Sequence, residues 1–350
     1  MSRLRLVADD LTGALDSGCA FADPAAPVRV AVPGRALPAG DRLAVSTESR
    51  DMDEAAAVAA VAAAVRAFAG AGPDTLWFKK IDSVMRGHPF AETKAAFEAG
   101  GFSGCVFAPA YPDMGRITRD GRQYVTGGTG DPVPVGPGFR EAFGRLGLAV
   151  TLVDADRQEV LREQVARLRQ AKPQGRTLWV GTGGLAAVLG KARAPTPFPP
   201  VRGVIVGTNH PATRAQVASA LADGTVAEGI PTGDRPRLLA PALTATDAAA
   251  THRILRRHLP EIDVSDPEET SFVVTGGDTL SIVLDTTGAD FLECIGEAAT
   301  GVPVSRISGG RWHGVTILSK SGGFGDAALF SRLVARTDGP GRRESARSLL

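Results

Sequence analysis

Two adjacent carboxylates, Asp9 and Asp10, follow the apolar run Leu4 to Ala8 in the segment Asp9-Asp10-Leu11-Thr12-Gly13. At that place a carboxylate pair accepts hydrogen bonds from the hydroxyls of a polar substrate, or holds a metal through water. Capping of the following helix accounts for one aspartate but not for both. A second cluster ends the apolar run Thr75 to Lys79: Lys79-Lys80-Ile81-Asp82-Ser83-Val84-Met85-Arg86-Gly87-His88. Such a cluster suits a small organic anion, with Arg86 gripping a carboxylate through its fork and Lys80 adding a point charge. The competing structural reading is an internal ion pair such as Lys79 with Asp82. Arg50, in Ser46-Thr47-Glu48-Ser49-Arg50, offers a further cation, as does Arg116 after the proline-stiffened loop around Tyr111.

Two glycine clusters lie in the second half, Thr275-Gly276-Gly277-Asp278-Thr279 and, after Lys320, Ser321-Gly322-Gly323-Phe324-Gly325-Asp326. Glycines at strand-to-helix turns let main-chain N–H groups approach a phosphate and aim a helix N-terminus at it. Two such turns at equivalent sheet positions favour a nucleotide. No P-loop occurs. A rival motif, Gly181-Thr182-Gly183-Gly184-Leu185-Ala186, fits the dinucleotide fingerprint. The following strand ends in Gly207-Thr208-Asn209-His210 and lacks the acid that would hold a ribose. An NAD(P)-dependent oxidoreductase is therefore the alternative, and a non-catalytic metabolite-binding protein a third reading. The five histidines show no metal-ligand spacing, so no protein-built metal site is expected.

These residues need rigid supports. Short β-type runs alternate with helical ones throughout, the rhythm of parallel sheets with crossover helices. Strands are expected at Leu4–Ala8, Val28–Val32, Leu43–Ser46, Thr75–Lys79, Cys105–Ala108, Val150–Val153 and Thr177–Val180. Helices are expected from about Thr12 and over Asp53–Ala69, Phe90–Glu98, Phe139–Leu146 and Gln158–Gln170. The segment Arg193–Pro200 holds four prolines in eight residues and reads as a linker. Beyond it come strands Val204–Val206, Phe272–Thr275 and Val315–Leu318, with helices Pro211–Leu221, Ala245–His258 and Asp326–Ala335. The expected organisation is an α/β protein of two domains, each a largely parallel sheet with flanking helices and the active site in the cleft between them. Its divisions are 1–195, a linker at 196–200, a domain at 201–336 and a frayed polar tail at 337–350.

Composition narrows the function classes. A chain of 350 residues with 43% apolar and 22% charged residues is globular. Its 39 basic and 38 acidic residues leave a net charge of +1, giving no electrostatic reason to expect nucleic acid or a membrane as partner. The apolar stretches are too short for a bilayer, and Asp9 and Asp10 interrupt any signal-peptide core. Three distant cysteines read as reduced, in a cytoplasmic protein.

Together, A-D-D-L-T-G-A, T-E-S-R, K-K-I-D-S-x-x-R-G, A-P-A-Y-P-x-x-G-R, G-G-D-T and K-S-G-G-F-G resemble the four-carbon acid sugar kinases, in the family's order and from Ala8 to Asp326. The resemblance implies ATP-dependent phosphorylation of a threonate, erythronate or 3-oxo-tetronate at O4, with Mg²⁺ neutralising the developing charge. It implies an N-terminal domain that holds the sugar acid through Asp9, Asp10, Arg50, Lys80, Asp82, Ser83, Arg86 and Arg116. The C-terminal domain would hold ATP through Thr208, Gly276, Gly277, Asp278, Thr279, Lys320, Gly322, Gly323 and Gly325. Asp10 or Asp278 is the expected catalytic base or orienting carboxylate, and a homodimer is left open. Where the family reads D-S-T-L-R-G, this chain has Val84 and Met85 in the middle positions; where it reads Gly-Ser, this chain has Gly207-Thr208.

Overall fold

The computed structural model describes residues 3–68, 71–126, 131–171, 175–191, 194–233 and 235–336. The polar tail expected from Thr337 lies outside them. The chain divides into two compact units, residues 1–193 and 194–350. No helix among the described residues is long and apolar enough to cross a membrane.

Unit 1 is built on strands β1 (Arg3–Ala8), β2 (Val28–Ala31), β3 (Arg42–Ser46), β4 (Thr75–Lys80), β5 (Gly104–Ala108), β9 (Thr151–Leu152) and β10 (Thr177–Gly181). They pair in parallel in the order β2-β3-β1-β4-β10-β5-β9. Three short antiparallel strands, β6 (Arg116–Arg119), β7 (Arg122–Val125) and β8 (Val133–Val135), form a separate small sheet. Sequence periodicity did not show them, because their four residues or fewer mix charge and apolar character without alternation.

Helices α1 (Leu11–Gly18), α2 (Glu54–Ala67), α3 (Pro89–Gly100), α4 (Phe139–Leu146), α5 (Gln158–Gln170) and α6 (Gly183–Leu189) flank the parallel sheet. Asp10 caps α1 by accepting from Gly13 N, and Asp53 caps α2 through Ala56 N. Pro89 opens α3, and Gly101 ends it at φ +59°. One sheet face is sealed by Phe107, Phe139 and Phe143, with Phe90 stacked at 5.9 Å on Phe107, and by Trp77, Phe68 and Phe102.

The register levels the strand ends. Ala8 pairs with Ser46 and Lys80, Lys80 with Gly181, and Gly181 with Ala108. The residues that follow therefore emerge together at one edge, where open α/β sheets bind ligands.

Unit 2 has strands β11 (Val201–Val206), β12 (Ala227–Glu228), β13 (Arg237–Leu239), β14 (Ser271–Thr275), β15 (Phe291–Ala299), β16 (Val302–Ser308) and β17 (Thr316–Lys320). The order β12-β13-β11-β14-β17 is parallel, and β16 and β15 continue it antiparallel. The hairpin β15–β16 is absent from the sequence expectations. Its helices are α7 (Pro211–Ala222), α8 (Ala248–His258), α9 (Gly277–Thr287) and α10 (Leu329–Ala335). Helix α8 begins at Ala248 rather than Ala245 because Asp247 supplies the cap, accepting from Ala250 N. Here too the ends are level: Val206 pairs with Thr275, and Thr275 with Lys320.

Candidate active site

In unit 1 the loops after β1, β3 and β4 bring together Asp9, Asp10, Arg50, Lys80, Asp82 and Arg86. Arg50 is their hub. Its Nε donates to Asp9 Oδ2 at 2.8 Å, Nη1 to Asp10 Oδ2 at 2.9 Å and Nη2 to Asp10 Oδ1 at 2.7 Å. Asp82 Oδ1 lies 3.6 Å from Nη2. Burial opposes the charge on Arg50, yet Asp9, Asp10 and Asp82 hold the guanidinium above its ordinary value. Burial also opposes the charge on Asp10, while Arg50, Lys80, Thr12 and Gly13 N keep it below the usual carboxylate range.

Arg86 is likewise engaged by the protein. It donates to Asp82 through Nε at 3.1 Å and through Nη2 at 2.6 Å. Against burial, that hydrogen bonding and the charge of Arg50 bring Asp82 down to about 2. The bidentate grip expected for a substrate is thus spent on Asp82, and Nη1 is what Arg86 retains for a guest. Its side chain is 61% exposed. Met85, between Asp82 and Arg86, holds φ +63°, a conformation costly for a residue with a Cβ, and Val84 N and Arg86 N both donate to Asp82 to maintain it.

Lys79 and Lys80 point to opposite faces, as neighbours in a strand must. Lys79 is fully buried and pairs with Glu92 of α3 at 2.7 Å, not with Asp82 as the structural reading of the sequence supposed. Glu92 Oε1 also accepts from Ser49 Oγ at 2.7 Å, and Ser49 Oγ lies 2.7 Å from Thr47 Oγ1, so this buried pair supports the turn that delivers Arg50. Glu92 carried no signal in the sequence, and Ser49 entered only as a member of the T-E-S-R segment. Lys80 faces α1: a Cβ added to Gly13 would lie 3.0 Å from its Nζ. Its side chain is buried, and among the described residues no hydrogen bond or ion pair engages its Nζ.

The remaining sugar-acid candidates border this group. Ser83 O accepts from the buried Gln123 Nε2 at 3.1 Å, tying the β4 loop to β7. Arg116 starts β6, donates to Met114 O and is lowered by burial against the opposing charge of Asp82. Gly183 and Gly184, the core of the dinucleotide-like motif, are needed for packing. A Cβ on Gly184 would meet Ala110 O at 2.3 Å, and one on Gly183 would meet Tyr111 Cε1 and Asp16 Oδ2, both at 2.7 Å. The glycines of this motif are thus explained by close packing of α6 on the Ala110–Tyr111 loop and on α1.

In unit 2 the loops after β11, β14 and β17 converge on Thr208 and Thr279. A Cβ on Gly207 would come 2.2 Å from Thr279 Oγ1, and one on Gly322 would come 2.9 Å from Thr208 Oγ1. Gly276, at φ +101°, precedes α9 without a side-chain cap, so the first amides of that helix remain open donors among the described residues. Gly277, Asp278 and Thr279 supply them. The Asp278 side chain is 78% exposed and 3.9 Å from His252 Nε2.

The second glycine cluster departs from expectation. Helix α10 starts at Leu329 and has only seven residues, so Gly322, Gly323 and Gly325 form a loop ahead of it rather than a helix-heading turn. Thr213 Oγ1 donates to Gly322 O at 2.7 Å, and Gln216 Nε2 donates to Phe324 O and Gly325 O. Lys320 is buried against Phe330, and burial brings it down to about 7; its Nζ donates to Thr213 Oγ1 and Gly322 O at 3.2 Å.

Gly276→Ala tests the first turn. The left-handed backbone disfavours any Cβ, and the expected result is a rise of about tenfold or more in the nucleotide KM, from a strain of ~1–3 kcal/mol. An unchanged KM would remove this turn from the site.

Comparison with known proteins finds a family for each half of the chain. A sugar-binding N-terminal domain family matches residues 4–138, and a nucleotide-binding C-terminal domain family matches residues 248–330. The D-threonate kinase of Bordetella bronchiseptica is 30% identical, spanning 93% of this chain and 95% of that protein. The D-threonate kinase of Cupriavidus necator is 27% identical, spanning 95% and 98%. The solved structure of a Salmonella typhimurium protein, titled a putative tRNA synthase, superposes with a TM-score of 0.67 at 22% identity, covering 95% of this chain and 98% of that one. That of a Haemophilus influenzae protein gives 0.62 at 19%, covering 95% and 100%. At those identities both structures speak for the fold alone. The class is that of proteins pairing a sugar-binding with a nucleotide-binding domain. Within it, this chain belongs to the four-carbon acid sugar kinase family.

Proposed function

We propose that the protein transfers the γ-phosphoryl group of ATP to the O4 hydroxyl of a four-carbon sugar acid: threonate, erythronate or a 3-oxo-tetronate. The observation that supports this reading most directly is the contrast between the two units. Unit 1 gathers cationic side chains and carboxylates; unit 2 gathers bare main-chain amides at a helix start. The first suits a polyhydroxy carboxylate and the second a polyphosphate.

In this reading Lys80 supplies the uncommitted charge for the substrate carboxylate, assisted by Arg86 Nη1 and Arg116. Asp9 Oδ1 is buried without a hydrogen-bond partner, an acceptor that a substrate hydroxyl would satisfy. Arg50, Asp10 and Asp82 hold the loops in place. The open amides of α9, with Thr208 and the Gly322–Gly325 loop, cradle the phosphates.

The ion expected with ATP is Mg²⁺, which keeps several waters and binds through substrate phosphates and one or two carboxylates. Asp278 is the acidic side chain beside the open amides, and the bound ion would neutralise phosphate charge.

ADP release from ATP·Mg²⁺ in the presence of a panel of C4 sugar acids tests the reading. Turnover with at least one acid is expected; none above the acceptor-free background would overturn it. With an accepted substrate, Arg86→Ala should lower kcat/KM by about tenfold, near the lower end for a charge-assisted contact because the side chain is largely exposed. An unchanged value in the folded variant would exclude Arg86 from substrate binding.

A further inference from the structure

The two acids weighed from the sequence as proton acceptor are ill suited to it. Asp10 has both oxygens hydrogen-bonded by Arg50 and further donors from Thr12 and Gly13, and Asp278 projects into water. We infer that Asp16, on α1, is the general base that takes the hydroxyl proton during phosphoryl transfer, a reading that deepens the proposed kinase function and rests on it.

The geometry points there in three ways. Gly13 and Asp16 stand three residues apart on α1 and share a helix face. At Gly13 that face lies against Lys80 Nζ, and at Asp16 it reaches the start of α6, where a Cβ on Gly183 would lie 2.7 Å from Oδ2. Gly183 is two residues beyond Gly181, at the level edge of the sheet, so the carboxylate stands at the edge where the strand-end cluster gathers. Among the described residues, no hydrogen bond or ion pair engages the Asp16 side chain. Asp16 and Lys80 are thus the uncommitted acid and cation of a cluster whose other charges are spent on one another.

The surroundings suit a base. Burial raises the Asp16 carboxyl, Lys80 pulls it back and Asp10 lifts it again, leaving it at about 6. Tyr111 lies over the same glycine, Cys19 follows on the next turn, and α6 contributes no ionisable side chain. At neutral pH such a group is mostly ionised yet basic enough to accept a proton. In the step, the O4 lone pair forms the new O–P bond and the bond from the γ-phosphorus to the β,γ-bridging oxygen breaks. The electron pair leaves on ADP, and the hydroxyl proton passes to Asp16 and then to water.

The test is the pH dependence of kcat in the full-length protein with its accepted sugar acid. The wild type should gain activity as pH rises through about 6, where Asp16 loses its proton, and level off above. Asp16→Asn should lower kcat by about 100-fold or more and abolish that limb, with the sugar-acid KM little changed. Asp16→Glu keeps the acid and should restore about a tenth of kcat together with a limb. An Asn variant with wild-type kcat and limb would overturn the inference alone. So would a folded Glu variant as inactive as Asn, or an Asn variant whose residual activity keeps the wild-type limb. Absence of ADP release by the wild type with every acid would overturn the kinase reading and this inference together.

Discussion

Replacing Arg50 by alanine is expected to cost about 3–5 kcal/mol of folding stability and to abolish sugar-acid turnover. The guanidinium satisfies Asp9 and Asp10 directly and stands 3.6 Å from Asp82, all three little exposed. Its removal strands these negative charges in a poorly solvated place, where each repels the others. Urea unfolding at neutral pH measures the loss, and one below about 1 kcal/mol would show the cluster to be solvated enough to do without its hub.

The same variant should respond differently to acid. Asp82 is depressed to about 2 in the folded protein, and Asp10 is depressed as well. Depressed carboxyls stabilise the fold above their unfolded pKa of ~3.9, and the contribution fades as pH falls towards the folded value. Wild-type stability should therefore fall between about pH 4 and pH 2. The Arg50→Ala variant should fall less steeply there, because its carboxyls regain ordinary affinity for protons. A parallel acid profile in the two proteins would contradict this account.

Lys79→Met is the second large effect. It leaves Glu92 fully enclosed without its cation, and the expected loss is again about 3–5 kcal/mol. The double variant Lys79→Met, Glu92→Leu should recover most of that stability, since exchanging a buried ion pair for apolar side chains is commonly neutral or better. Function should not return with it. Ser49 loses its carboxylate acceptor and the Arg50 turn loses its brace, so the sugar-acid KM should stay raised by about tenfold while the nucleotide KM is unmoved. Full recovery of both stability and KM would make the pair a packing feature and nothing more.

The chemistry legible in the sequence was the part written contiguously. Asp9-Asp10, Thr47 to Arg50, Lys79 to Arg86 and the glycine turns each follow a strand, and strand-end position is what an alternating β/α pattern discloses. Which charge meets which was not legible. Glu92 pairs with Lys79 across thirteen residues, and nothing local distinguishes it from any acid in the first turn of a helix.

Asp16 was overlooked for another reason. On a short helix of small and polar residues it reads as one more carboxylate facing water, and only the structure shows that the other residues of Leu11–Gly18 are all buried. The small sheet of β6 to β8 and the hairpin β15–β16 escaped because cross-strand pairing, rather than residue pattern, defines them. The helix expected to begin at Asp326 begins at Leu329, because Asp326 accepts from Ala328 N and holds a turn in front of it.

The adjoining lysines of β4 look interchangeable on paper. A pleated strand makes them strangers: one is sealed within the interior of the fold and the other lies against α1 with its ammonium uncommitted. Neither is a spare for its neighbour, and a deletion anywhere upstream in that strand would exchange their duties without altering the composition of the doublet.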